Sequence, residues 1–150
     1  LPTPLELVAT VIHPKIEVKT ADARAILKKR VTLDKAISQW GNVGALVSSL
    51  YEEDYDLLSR SLIDVIVEPT RAILIPHFSE LKAACKEAGA LGSGISGSGP
   101  SVFALSRGMP AANKVAHAIQ SVLEETNIPF DIHVSPVKKT GVSFIEDLLI

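Results

Sequence analysis

The run LGSGISGSGPSVFAL, Leu91 to Leu105, places Gly92, Gly94, Gly97 and Gly99 within eight positions and then passes directly into an apolar segment. Glycine at that density has a physical cause: it permits positive φ, lets another backbone or a ligand come close, and allows successive amides to form a concave anion-binding nest. The residues alone leave two readings open, a phosphate-contacting loop or a tight hairpin whose glycines serve only twist and turn geometry. Read literally, Gly92-x-Gly94-x-x-Gly97 matches the dinucleotide-binding fingerprint, which needs a strand before it and a helix after it. Here the order is reversed, because a helical pattern ends at Gly89 and a strand follows Pro100. A protein-kinase glycine loop would want valine where Gly99 stands, and no Walker lysine follows.

Working outward, the segment after Pro76 is helical and Gly89 suits the position just past its C-terminus. On the other side, Ser101–Ser106 reads as a strand. Pro110 opens a helix through Ala116, Ile119 and Leu123 to about Thr126. Phe130–Val137 and Gly141–Ile145 read as strands. Toward the N-terminus, Glu6–His13 is rich in β-branched residues and Pro14 closes it as a strand. The alternation in Lys15–Lys19 predicts a short edge strand, and Thr20 is suited to cap a helix carrying Asp22 in its first turn. A second helix starts near Thr32, with Leu33, Ala36, Ile37, Trp40, Val43, Val47 and Leu50 on one stripe, which predicts a face packed on a core. The acidic cluster Glu52, Glu53, Asp54 and Asp56 predicts a solvated turn into a third helix through Leu58, Leu62 and Ile66. Pro69 then sits in the first turn of a short helix. Strand, helices, a tight hairpin, helix and strand together predict an α+β fold: an antiparallel sheet with helices on one face, as one domain over residues 1–150.

Across 150 residues the apolar fraction is 47% and the charged fraction 21%, enough for a globular core. A net charge of −2 and a pI of 6.1 argue against nucleic acid as a partner. The most hydrophobic stretch, Leu62–Ile75, is interrupted by Asp64, Glu68, Pro69 and Arg71, so no membrane-spanning helix is expected. The lone Cys85 lies on a helical pattern as a buried, inert thiol, and with no secretory signal the expected compartment is the cytoplasm. His13, His77, His117 and His133 show no metal-ligand spacing, and no metal site is expected. The chain begins at Leu1 and enters a strand almost at once, which suggests a piece of a longer protein.

The run Gly94–Leu105 (GISGSGPSVFAL) resembles the third conserved motif of the GHMP kinase superfamily, in the form of its homoserine kinase branch. Val18–Leu27 (VKTADARAIL) and Asp64–Arg71 (DVIVEPTR) resemble that branch in the same order and spacing. The resemblance implies a ferredoxin-like C-terminal domain whose glycine hairpin faces the active-site cleft. Ser96, Gly97, Ser98 and Gly99 would touch the nucleotide's phosphate loop. It also implies ATP and Mg²⁺, bound mainly by an N-terminal nucleotide-binding half, because the superfamily's phosphate-binding motif P-x-x-x-G-L-G-S-S-A is absent here. No catalytic residue is expected in this half.

By the same resemblance Arg24 and Arg71, with Thr20 nearby, would hold the carboxylate of L-homoserine, which the whole enzyme phosphorylates in threonine biosynthesis. A homodimer is an expectation by analogy with the family. The residues themselves are compatible with those roles: Thr20 and Arg24 share one helical face, and an arginine fork fits a carboxylate with paired hydrogen bonds. Plain alternatives exist for each, with Thr20 as an N-cap, Arg24 as a solvated helix residue and Arg71 paired with Glu68. The rival functions are another GHMP small-molecule kinase, acting on mevalonate or a sugar, and a non-catalytic ferredoxin-like ligand-binding or dimerisation module.

Overall fold

A computed structural model describes residues 1–141. The chain runs β1 (Leu7–Pro14), α1 (Thr20–Ala25), α2 (Leu33–Glu52), α3 (Tyr55–Ser61), α4 (Glu68–Arg71), a 3₁₀ turn (Ala72–Leu74), α5 (Phe78–Glu87), β2 (Gly92–Ile95), β3 (Val102–Arg107), α6 (Met109–Glu124) and β4 (Phe130–Pro136). The four strands form one sheet in the order β2-β3-β1-β4, and every neighbouring pair is antiparallel. That is the ferredoxin-like βαββαβ topology, with a helical excursion, α1 to α5, between its first two strands. The predicted α+β class therefore holds. The expected strand at Gly141–Ile145 lies outside the described residues, apart from Gly141.

Register decides which face of the sheet is covered. Thr10 pairs with Ala104, Ile12 with Val102 and Ser93 with Ala104, so these side chains share one face. Onto it pack Phe78, Leu81 and Cys85 of α5 and Val115, Ile119 and Leu123 of α6, forming the core with Ile12, Val102 and Ala104. Buried Thr10 is tied to the helix layer through its hydroxyl, which donates to the Ala112 carbonyl at 3.3 Å. Burial pushes the Cys85 thiol up to about 11, as expected of an apolar site. Gly89, at φ +91°, ends α5 in the left-handed conformation its position demands.

Four local expectations fail. Lys15–Lys19 forms no strand: the ladder between β1 and β4 stops at Pro14 and Phe130, and the Lys15 amide turns to the Pro129 carbonyl at 2.7 Å. Thr20 is the first helical residue of α1 rather than its cap, a position held by Lys19 without a side-chain cap bond. The third helix stops at Ser61 instead of running on to Ile66, because the Asp64 side chain draws the following amides into a turn.

The fourth concerns α2. Among the described residues most of its predicted core stripe is open: Leu33, Ile37, Trp40 and Val43 are 68, 55, 67 and 52% exposed, while Ala36, Val47 and Leu50 are half-buried. Periodicity identifies an apolar face but not what covers it. The helix docks instead through an adjacent polar stripe, in which Gln39 and Asn42 bond the loop after α3 and Ser49 is buried.

Candidate active site

The glycine run forms β2, a turn and β3. Within the turn the Ser96 amide donates to the Ser101 carbonyl at 2.8 Å and the Gly99 amide to the Ser96 carbonyl at 3.1 Å. Gly97 and Gly99 adopt φ of +63° and +84°, and no acceptor is found among the described residues for the Gly97 and Ser98 amides. Of the four expected phosphate-contacting positions, Ser96 and Gly99 thus spend their amides closing the turn. Gly97 and Ser98 keep theirs free at its tip. A Cβ at Gly97 would meet nothing within 4 Å, so the tip is open.

The glycines inside β2 have a separate task. Gly92 and Gly94 point away from the α5–α6 layer, and the segment Leu62–Arg71 crosses the sheet there. A Cβ on Gly92 would lie 2.5 Å from the Leu62 Cβ, and one on Gly94 3.1 Å from a Glu68 carboxylate oxygen. The absent side chains let the loop lie directly on the strand.

That loop carries Arg71 at the end of α4, where Pro69 falls within the first turn as expected. Arg71 does not pair with Glu68, whose carboxylate pairs with Lys82 of α5. Its Nε donates to the Ala23 carbonyl of α1 at 3.1 Å and its terminal nitrogen to the Gly97 carbonyl at 2.9 Å. Thr20, at the start of α1, lies 3.4 Å from Ser98, hydroxyl to hydroxyl. Three segments far apart in sequence, α1, α4 and the glycine turn, therefore converge. Arg24 is on α1 next to Ala23 and is exposed, and its side chain has no hydrogen-bond partner among the described residues.

A guanidinium has five N–H donors, so Arg71 retains three after its two carbonyl contacts. Among the described residues neither Arg24 nor Arg71 forms a salt bridge. The two acids that precede Arg71 in its own loop, Asp64 and Glu68, are already engaged, Asp64 with backbone amides and Glu68 with Lys82. Such an arrangement can receive a carboxylate from outside the chain. Beside it opens a cleft of about 220 Å³, lined by Asn42 and Leu46 of α2, Asp64, Arg71, and Gly94 and Gly97 of the hairpin.

Sequence reasoning assigned no role to Asp64, Gln39, Asn42 or Lys82. An Asp shortly before a proline-initiated helix is a readable capping signal. The partners on α2 and α5 have none, since only the fold brings them near. Among the described residues no group of three His, Cys, Asp or Glu side chains could hold a metal, and no helix is long and apolar enough to cross a membrane.

The family model described as "GHMP kinases C terminal" matches residues 35–125. A homoserine kinase from Chlorobium phaeobacteroides (strain BS1) is 50% identical over 148 residues, covering 97% of this chain and 46% of that protein. The crystal structure of homoserine kinase from Cytophaga hutchinsonii superposes with a TM-score of 0.90 at 52% identity, over 91% of this chain and 44% of that one. Streptococcus pneumoniae phosphomevalonate kinase shares the fold at 14% identity and a TM-score of 0.68. The chain spans somewhat less than half the length of the curated relatives it matches.

Proposed function

The chain belongs to the GHMP kinase C-terminal family, and from that premise we propose that residues 1–150 are the C-terminal domain of an ATP-dependent kinase that phosphorylates the side-chain hydroxyl of L-homoserine to O-phospho-L-homoserine. One observation carries the assignment of the site. Arg71 joins α1 to the glycine turn, and it and Arg24 lack a carboxylate partner among the described residues beside an open cleft. The substrate's amino-acid carboxylate fits that deficit, with Thr20 and Arg24 approaching from α1 and Arg71 from α4.

Phosphoryl transfer asks a protein chiefly to position donor and acceptor and to stabilise charge on the group in flight. In this reading Arg24 and Arg71 hold the acceptor. The hairpin tip, Ser96 to Gly99, lies against the loop that binds the nucleotide's phosphates, and its two free amides at Gly97 and Ser98 are the groups available for it. That phosphate loop and the residues near the acceptor hydroxyl belong to the other half of the enzyme. In this reading Mg²⁺ bridges phosphate oxygens of the nucleotide and is held mainly by the N-terminal half. A cytoplasmic location accords with a small-molecule kinase of amino-acid biosynthesis, and a homodimer remains a proposal by analogy.

The test is substrate choice by the full-length protein. With ATP and Mg²⁺ it is expected to phosphorylate L-homoserine, and an analogue lacking the carboxylate is expected to be a poor acceptor. Preference for mevalonate or a sugar would assign the chain to another branch of the family. ATP-independent binding without transfer would favour a ligand-binding module.

A further inference from the structure

We infer that Asp64 is a positioning residue for recognition of the substrate carboxylate, acting through Arg71, an inference that rests on the assignment of Arg71 as a carboxylate ligand. Asp64 Oδ1 accepts from the amides of Ile66 and Val67, both at 2.8 Å, and Oδ2 accepts from the Glu68 amide at 3.1 Å. Both oxygens are thus spent on the backbone immediately before Pro69. The helix they support, Glu68–Arg71, spans a single turn, too short to hold itself by its own hydrogen bonds. Its leading amides would be orphaned without an acceptor from outside.

The path from Asp64 to Arg71 is short. Val67 gives its amide to Asp64, and its carbonyl accepts from the amides of Thr70 and Arg71, each at 3.0 Å. The backbone of Arg71 is therefore held two hydrogen bonds away from the Asp64 carboxylate. From the other side α2 fixes the same loop, since Gln39 Oε1 accepts from the Val65 amide at 3.0 Å and Asn42 Nδ2 donates to the Ile63 carbonyl at 2.8 Å. A loop clamped at Ile63, Val65, Ile66, Val67 and Glu68 presents Arg71 in one orientation, with its guanidinium on Ala23 and Gly97. Charge-assisted bonds from a carboxylate to amides are the stronger members of this set, so Asp64 is the residue on which the clamp chiefly depends. Because its oxygens are satisfied this way, it does not neutralise Arg71.

The experiment uses the full-length enzyme with Asp64→Ala, Asp64→Asn, Arg71→Met and the Asp64→Ala/Arg71→Met double variant. Measured for each are KM for L-homoserine, KM for ATP, kcat and the thermal midpoint. Asp64→Ala is expected to raise KM for homoserine roughly ten- to hundredfold, the scale of a misplaced binding group, while KM for ATP stays unchanged. Asp64→Asn keeps a carbonyl oxygen for Ile66 and Val67 but turns an NH₂ toward the Glu68 amide, so it should lose less. It also carries the test if the alanine variant does not fold. In the double variant, loss of Asp64 should add nothing to the Arg71→Met defect. Full multiplication of the two defects, or parallel changes in both KM values, would overturn the positioning role, as would Asp64 variants that bind homoserine normally beside a strongly impaired Arg71→Met. Normal homoserine KM in Arg71→Met overturns the ligand assignment itself, and the positioning role with it.

Discussion

Replacing Arg71 by methionine keeps the length of the side chain and removes every donor. In the free protein it deletes the bonds to the Ala23 and Gly97 carbonyls, 3.1 and 2.9 Å long, one part-buried and one exposed. Net of solvation, losing two such bonds costs roughly 1–2 kcal/mol, or about 2–8 °C in the melting temperature of a domain this size. Truncating one partner of a desolvated charged pair costs about 2–5 kcal/mol, which at about 1.4 kcal/mol per decade is about thirtyfold to a few thousandfold in KM for homoserine. Arg24 supplies the control that structure makes possible. It is exposed and its side chain has no partner among the described residues, so Arg24→Met should leave the melting temperature nearly unchanged while also raising KM for homoserine. Lysine at either position should restore binding only in part, since it keeps the charge but not the planar fork. Steady-state assays of ADP formation by the full-length enzyme, with each substrate varied against saturating amounts of the other, give both KM values. Normal homoserine KM in both methionine variants, or equal weakening for ATP, would refute the reasoning and return the two arginines to plain structural roles.

The hairpin glycines should separate by function. Gly92→Ala forces Leu62 and its loop off β2, so it should lower stability and raise KM for homoserine together, whereas Gly97→Val meets only left-handed backbone strain and should lower kcat with a smaller loss of melting temperature. Kinetics and thermal melts of the two variants side by side distinguish these outcomes, and a Gly97→Val enzyme of normal kcat would mean the tip touches nothing in catalysis. Trp40, the sole tryptophan, should emit as an exposed indole in the 150-residue chain and be quenched readily by acrylamide, and Trp40→Gln should change the chain's stability by no more than about 0.5 kcal/mol. Protected, blue-shifted emission at high dilution would contradict the open α2 stripe. Cys85 should resist alkylation near neutral pH unless the protein is unfolded. Its raised folded-state pKa favours the neutral thiol, so its contribution to stability is complete below about pH 9 and is lost on rising through about 11, and denaturant melts across that window should show the decline.

Element types in the second half of the chain were written locally. Gly89 suited the stop of one helix and Pro110 the start of another, because each depends on the conformational range of one or two residues, and a glycine run leading into an apolar segment was compatible with a hairpin. The order β2-β3-β1-β4 was not written locally, since it depends on which strand edges remain unpaired after the helices dock. The α2 stripe shows the limit most plainly. Periodicity places Leu33, Ile37, Trp40 and Val43 on one face whatever the surroundings, yet burial belongs to whatever layer lies opposite, and among the described residues nothing covers these four.

At the candidate site the division is similar. The resemblance to the GHMP kinases singled out Thr20, Arg24, Arg71 and the Ser96–Gly99 turn, and the residue types are compatible with a carboxylate and a phosphate loop, since donor count and backbone freedom are properties of the residues themselves. Their convergence is a property of the fold: Arg71 meets Ala23 and Gly97 across 48 and 26 residues of chain. The same holds for the choice of partner. Glu68 stands three positions from Arg71 and could have neutralised it, but Lys82, on a helix packed alongside, captures that carboxylate and leaves the arginine's charge unpaired among the described residues. Proximity in sequence sets which pairs are cheap to form, and packing decides which of them form, because a side chain with one charge satisfies only the neighbour that the tertiary structure brings within reach.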